Sequence, residues 1–406
     1  MQSDGRELAD TPRPVVAVYR DTLLRRTETY IRTQGEAVRR YQTHYIGMRR
    51  GGLEVPSARS VVLNTGGAMG RVREFAFLTS GVSWTLEREI RNRGAGLVHA
   101  HLGVDGAAAL PLARRLGIPL VVTFHGYDAA ASDAAALARG YRYRVYLRRR
   151  QALKRDTRLF IAVSEYTRQR MLESGFPEDR VVVHYIGIDT ELFHPDPTLM
   201  REPVVLFVGR LIEKKGVTFL IDAMRQVQGQ NPSVELVIIG KGQLKSALER
   251  QAADAGVRAR FLGTLRPEDI RTWMNRAQVL CMPSIVAADG DAEGLPIVGL
   301  EAMAMGLPIV ASASAGIPEA ITDSEHGLLA RERDTGTLAR HITTLLGDAP
   351  LRERIGSSAL ARVRDRFDLN RQTRALEDLY DRVRGVAERG ASPVAFPSSA
   401  TPASQY

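Results

Sequence analysis

A single cysteine, Cys281, stands in the 406 residues, so no intramolecular disulfide can form, which fits a reducing cytoplasm. It lies in the apolar run AQVLCMPS and reads as a small buried hydrophobe rather than a working thiol. Long hydrophobic runs are also missing. The longest uncharged stretch, 302–318, is rich in Ala, Gly, Ser and Pro and is broken by Pro308, too weakly apolar for a membrane span. The opening MQSDGRELADTPRP is polar and charged and has no secretory h-region. No repeat of 20–50 residues is evident. Acidic residues are outnumbered 46 to 56, and the formal charge of +10 favours an anionic partner: nucleotide phosphates, an acidic membrane surface or nucleic acid. No nucleic-acid motif accompanies that charge, so no nucleic acid is expected as a partner.

What is present is the composition of a soluble globular protein, 44% apolar and 25% charged, long enough for two domains with sizeable cores. Short β-branched runs alternate with helical stretches. They are VVAVY (15–19), VVLN (61–64), LVHAHL (97–102), PLVVTF (119–124), RLFIAVS (158–164) and VVVHYIG (181–187) in the first half. The second half has VVLFVG (204–209), VELVIIG (234–240), ARFLG (259–263), QVLCMPS (278–284) and PIVAS (308–312). This alternation predicts an α/β chain with parallel sheets and right-handed crossovers. Between the halves, FHPDPTLMREP (193–203) breaks the pattern with three prolines. The reading is two doubly wound Rossmann-like domains facing across a cleft, 1–195 and 200–367. A C-terminal helix, 368–388, is expected to return to the first domain, and the Pro/Ser/Ala-rich tail 389–406 is expected to be disordered.

The strand ends facing the cleft carry the chemistry. Arg210 follows a strand directly, and Lys215 and Gly216 precede a helix-like stretch, an arrangement that suits phosphate. A solvated basic loop explains the same residues. Gly240 and Gly242 flank Lys241 after the next strand as a second phosphate-approach turn. Downstream, EGLPIVGLE places Glu293 and Glu301 around a Gly-Leu-Pro turn, with Pro296 suited to the first turn of a helix. The amides of Gly294 and Leu295 would face the space that Glu293 faces. A helix-capping carboxylate explains Glu293 adequately, but Glu301 sits between apolar residues and needs a buried partner, for which ribose hydroxyls are suited. Two cations and two carboxylates in this order are what a nucleotide-sugar site requires.

The pattern VGRL, KKG, EGLPIVGLEAMAMGLPIVAS and GIPEAI resembles the retaining glycosyltransferases of family 4, which have the glycosyltransferase-B fold. Most of residues 95–330 carry the resemblance, supported by HAHLG (99–103), TFHGYD (123–128), AVSE (162–165) and GIDTELFHP (187–195). RTETYI (26–31) and PSIVAADGDAEGLP (283–296) are similar to the colanic-acid type of exopolysaccharide enzyme. The resemblance implies that Arg210 and Lys215 bind the donor diphosphate, Glu293 the transferred sugar and Glu301 the ribose, with Gly294, Leu295, Pro296 and Ile297 also binding the donor. It implies that His125 orients the donor sugar near the reacting carbon, with front-face displacement and no metal or other cofactor. Catalysis would rest on His125, Glu293, Arg210 and Lys215. Acceptor-side candidates are Thr27, Glu28, Thr29, His101, Asp128 and Ser164. Asp128 either positions His125 or closes a turn. A paired-glycine loop after the first strand is replaced here by YRDTLLRRTET, which leaves contacts from that loop open. The expected donor is a UDP-sugar ahead of a GDP-sugar, and the acceptor an oligosaccharide, a lipid-linked sugar or a small molecule. A nucleotide-sugar 2-epimerase of the same fold and a non-catalytic binding or membrane-scaffold protein are the alternatives.

Three further features carry competing readings. His99 and His101 share one face of a strand and, with His125, have metal-ligand character. Asn64–Gly70 (NTGGAMG) is a Gly-rich turn able to cradle phosphate. Residues 142–158 hold eight Arg or Lys and one Asp, with Tyr146 and Leu153 interspersed. They read either as a solvated helix face or as a dock for an anionic membrane, with Arg142 and Arg149 on the docking side and the protein peripheral to the inner face of the plasma membrane.

Overall fold

Apolar runs buried on both faces become the strands of two all-parallel sheets in the computed structural model, which describes residues 13–130 and 133–385. The tail 389–406 lies outside the described residues. The first sheet contains β1 (Val15–Leu23), β2 (Gln42–Arg50), β3 (Ser60–Val62), β4 (Ala95–His101), β5 (Leu120–Phe124), β6 (Leu159–Ala162) and β7 (Val181–Val183). The second contains β8 (Glu202–Val208), β9 (Glu235–Ile239), β10 (Ala259–Gly263), β11 (Ala277–Met282), β12 (Ile309–Ser312) and β13 (Leu328–Ala330). Their orders are β3-β2-β1-β4-β5-β6-β7 and β10-β9-β8-β11-β12-β13. Strand order therefore reverses at β1/β4 and at β8/β11, and a crevice opens at the carboxyl ends of these strands. Two strands are additions to the sequence reading. β2 was hidden by Thr43, His44 and Tyr45, and β13 is only three residues long.

Each sheet is covered on both faces. One face of the first sheet packs Tyr19, Val98 and Ala100 against Phe77 and Leu110. Its other face packs Val16, Val18 and Leu97 against Leu376, Leu379 and Tyr380 of the last helix, Leu369–Arg384. The chain crosses between the sheets twice, side by side: Ile188 N–H donates to Phe367 O (2.7 Å) and Leu369 N–H donates to Ile188 O (2.9 Å). Asp368 caps the returning helix by accepting from Arg371 N–H. Glu377, 1% exposed, then accepts from the backbone N–H groups of Arg39 (2.7 Å) and Arg40 (2.6 Å). Among the described residues no helix is long and apolar enough to cross a membrane.

The two halves touch at the crevice through backbone and charge. A Cβ on Gly294 would lie 2.3 Å from His125 O, and one on Gly126, with φ +124°, would lie 2.9 Å from Gly294 N and 3.1 Å from Ala292 O. Arg139 donates to Asp289 (2.8 Å). Glu319, in the GIPEAI segment, accepts from Glu165 N–H (2.8 Å) and Tyr185 O–H (2.7 Å).

The Glu377 contacts make one expectation for stability. Glu377→Ala strands two backbone donors that had a charged acceptor, and a loss of about 3 kcal/mol is expected in urea unfolding. A loss below about 0.5 kcal/mol would mean that the returning helix is held by its apolar face alone.

Candidate active site

The loop after β8 is folded by its neighbours rather than by solvent. Gly216 takes φ +62° at the start of the helix Val217–Gln230, and a Cβ there would lie 1.9 Å from Pro283 O. The loop is thereby pressed onto residues 283–293, and Ile285 N–H donates to Lys214 O (2.8 Å). Lys214 is buried, with its ammonium on Asp291 (2.9 Å) and Ala292 O (3.1 Å). The solvated-loop reading therefore fails for Lys214. Lys215 pairs with Glu293 at 2.6 Å. Arg210 is exposed and makes no hydrogen bond or ion pair with the described residues, yet its charge reaches Glu293 and Tyr30. Burial alone would raise the Glu293 carboxyl, but Lys215, Lys214 and Arg210 bring it down to about 2.

Glu301 has the opposite environment. It lies in the helix Ile297–Ala304, partly buried, its carboxyl without a hydrogen bond or ion pair to the described residues, and burial raises that carboxyl to about 8. The partner expected from its apolar flanks is not supplied by the described chain. Pro296 stands at the cap just before this helix rather than in its first turn, and the Leu295 side chain belongs to the core of the second domain. Gly240 and Gly242 serve backbone packing: a Cβ on them would lie 1.8 Å from Gly209 O and 2.2 Å from Leu211 O. Their close approach is to the loop carrying Arg210, so the two turns pack as one unit.

On the opposite side, β4 and β5 end in the histidines. His101 Nδ1 and His125 Nε2 are 3.1 Å apart, and the His125 ring lies against Tyr30 with centroids 5.3 Å apart. Burial, with Arg20 and His99 nearby, lowers His125 to about 3, so its imidazole is neutral near pH 7. Asp128 accepts from the backbone N–H groups of Gly103 (2.7 Å) and His125 (3.0 Å), and so closes the turn while holding the His125 backbone. Burial raises its carboxyl to about 6. The three imidazoles do come together, as His99 and His101 stack at 4.4 Å. Both His99 nitrogens are spent, however, on Tyr380 O–H and Thr123 Oγ1, each at 2.7 Å. Among the described residues no group of three His, Cys, Asp or Glu is arranged to hold a metal ion.

Two of the other acceptor-side candidates have partners within the first domain. Glu28 is buried against Arg20 and also accepts from Arg25 N–H (3.0 Å). Ser164 is fully buried and caps the helix Glu165–Glu173 by accepting from Thr167 N–H (3.1 Å). Thr27 is exposed, and Thr29 opens the helix Thr29–Ala37. Asn64–Gly70 leads into the helix Gly67–Ser80, with Asn64 Oδ1 accepting from Gly66 N–H (2.8 Å). The basic stretch forms the helix Tyr141–Asp156 with Tyr146 and Leu153 buried. Arg142 turns inward to Asp21 and Asp105, and Arg149 donates to Thr79 O (2.7 Å) and Ala107 O (3.2 Å). Neither arginine is therefore presented to a membrane as expected.

The sequence reading missed Arg20. Its guanidinium pairs with Glu28 and Asp105 and donates to His101 O (2.8 Å). Burial would lower its pKa, but Asp105 and Glu28 raise it. The available signal was a charged Arg-Asp pair set directly after the apolar run VVAVY.

Glu301 sets a pH expectation. A carboxyl held near 8 in the folded chain and near 4.5 when unfolded costs stability progressively as pH rises between those values. Glu301→Gln removes that cost. The melting temperature of the variant should exceed that of the parent by a margin that is flat below about pH 4.5 and widens to about pH 8. A margin independent of pH would place Glu301 in an ordinary solvated setting.

Comparison with known proteins covers both halves. The profile described as Glycosyltransferase Family 4 matches residues 27–192, and that described as Glycosyl transferases group 1 matches 189–362. The amylovoran biosynthesis glycosyltransferase AmsK of Erwinia amylovora is 31% identical over 71% of this chain and 70% of its own length. A GDP-mannose-dependent alpha-(1-6)-phosphatidylinositol monomannoside mannosyltransferase of Mycolicibacterium smegmatis is 34% identical over 59% of this chain and 63% of its own. The fold is shared with Anabaena HepE, solved with UDP-glucose, at a TM-score of 0.73 and 20% identity, covering 91% of this chain and 99% of that one. With its two sheets facing across a crevice and both halves matched, this chain belongs to the glycosyltransferases of family 4, with the glycosyltransferase-B fold and relatives in exopolysaccharide biosynthesis.

Proposed function

We propose that this glycosyltransferase moves a sugar, with retention of configuration and without a metal ion, from a nucleotide-diphosphate donor to an oligosaccharide, lipid-linked or small-molecule acceptor. It would act at the cytoplasmic side in polysaccharide assembly. The observation that carries this reading is Glu301, a partly buried carboxylate that no group of the described chain satisfies. It lies one helical turn beyond a loop where Lys215 and Glu293 are already paired. A ribose diol supplies the hydroxyls that Glu301 lacks. Arg210, exposed and unpaired among the described residues, and Lys215 would take the diphosphate and stabilise its charge as it leaves. Drawing Lys215 toward phosphate frees Glu293 to accept from the sugar hydroxyls. His125, neutral and held by His101, would orient the donor sugar from the other side of the crevice. The leaving phosphate would then assist removal of the acceptor proton on the same face.

A UDP-sugar is the first donor to test, since HepE was solved with UDP-glucose. A GDP-sugar is the second, supported by the GDP-mannose-dependent relative. Competition of unlabelled nucleotide diphosphates for a panel of nucleotide sugars separates the two. Incubation without acceptor separates transfer from 2-epimerisation, because an epimerase turns over alone.

Arg210→Ala should lower turnover about a hundredfold or more, the usual consequence of removing one donor to developing charge. Its melting temperature should be unchanged, because Arg210 has no partner among the described residues to lose. Lys215→Ala should lose as much turnover and also some stability, since Glu293 is left without its nearest counter-ion. Turnover should persist in a strong chelator. Near-parental rates in both variants would remove the donor assignment, and loss in chelator with rescue by one divalent ion would overturn metal independence.

A further inference from the structure

The helix Gly67–Ser80 buries Gly70, Phe77 and Leu78 and turns Met69, Val72 and Phe75 outward, 64%, 59% and 60% exposed. These three recur every third residue and so line one face, with Arg71 and Arg73 exposed at its margins. Phe75 stacks on Tyr141 at 5.6 Å, which joins this face to the helix Tyr141–Asp156. Arg149 fastens the two helices by donating to Thr79 O. From Tyr141 the second helix continues outward with Arg144 and Arg148, both exposed and without a partner among the described residues. The nearby acid, Glu74, is already paired with Arg49 at 3.1 Å. An apolar strip with aromatic residues, edged by four cations and no free acid, is therefore fixed on one side of the first domain.

We propose that this surface docks the protein on an anionic phospholipid bilayer, with Met69, Val72 and Phe75 entering the headgroup–acyl boundary and the four arginines on lipid phosphates. An apolar helix face with arginine margins matches an interface that is greasy below and negative above. Each arginine near such a surface strengthens partitioning about fivefold, so four suffice for reversible attachment. The docking face is linked to the crevice through the interior of the first domain. Arg142, next to Tyr141, reaches Asp105, which holds Arg20 and through it the carbonyl of His101. Docking through this face would thus bring the acceptor side of the crevice to the membrane plane. The proposal rests on exposure and charge, so it stands whichever donor is used.

The test is flotation of the full chain with vesicles of phosphatidylcholine alone or mixed with phosphatidylglycerol. Capture by the mixed vesicles only is expected, with release by about 0.5 M salt, roughly three times physiological ionic strength. Met69→Ser/Phe75→Ser and Arg71→Gln/Arg73→Gln should each weaken capture about tenfold or more at an unchanged melting temperature. Equal capture by both vesicle types, capture by neither, or parental capture of both variants would overturn the proposal. So would a dimer in sedimentation that Met69→Ser/Phe75→Ser dissolves, because the strip would then be the seat of a second copy of this chain.

Discussion

The guanidinium of Arg20 ties three pieces of the first domain together at one point. It leaves the end of β1 and is almost wholly buried. Two carboxylates meet it, Glu28 from the segment after β1 and Asp105 from the helix after β4. Its remaining donor fixes the carbonyl of His101. Asp105 in turn accepts from Arg142, and Asp21 completes the set. A buried cation of this kind is tolerable only when its donors are all met, and removing one partner leaves a charge stranded in low dielectric. The position of the histidines over the crevice is thus a result of charge satisfaction inside the first domain. Packing of apolar side chains supplies the sheet, and this network decides what the ends of its strands present.

The second half meets the crevice on different terms. Its polar groups are unevenly matched: Lys215 and Glu293 neutralise each other in the free protein, while the Arg210 guanidinium and the Glu301 carboxyl have no partner among the described residues. Lys214, by contrast, is committed to Asp291 and Ala292 and keeps the loop in place. On the proposed reading, adjacent lysines divide a structural task from a ligand-facing one. The contact between halves is made by glycine backbones at Gly126 and Gly294, so loops from both domains approach more closely than side chains would allow.

The alternation of strands and helices was legible because parallel strands buried on both faces leave continuous β-branched runs. β2 escaped because Thr43, His44 and Tyr45 interrupt its apolar pattern, although Ile46 and Met48 are as buried as any core residue. Glu301 was legible for the converse reason, a carboxylate amid apolar neighbours. Glu28 and Ser164 looked like cleft residues because a polar group at a strand or helix end has the same sequence appearance whether it faces a ligand or satisfies the fold. Here one pairs with Arg20 and the other caps a helix. The partnership of Arg142 with Asp21 and Asp105 depends on how the helix Tyr141–Asp156 lies across the sheet, and no local pattern contains that information. Three histidines converging could be inferred from strand spacing, but their hydrogen bonds to Tyr380, Thr123 and one another could not.

The last helix belongs to the first domain's core although the whole second domain precedes it in the chain. Ribosomal synthesis runs from the amino terminus, so the first sheet emerges with one face uncovered and stays so until Leu376, Leu379 and Tyr380 have been made. His99 likewise waits for the phenol of Tyr380. The second domain, complete by residue 366, has its own core ready earlier. Completion is therefore out of chain order: the core of the first half can close only after the whole second half has been made.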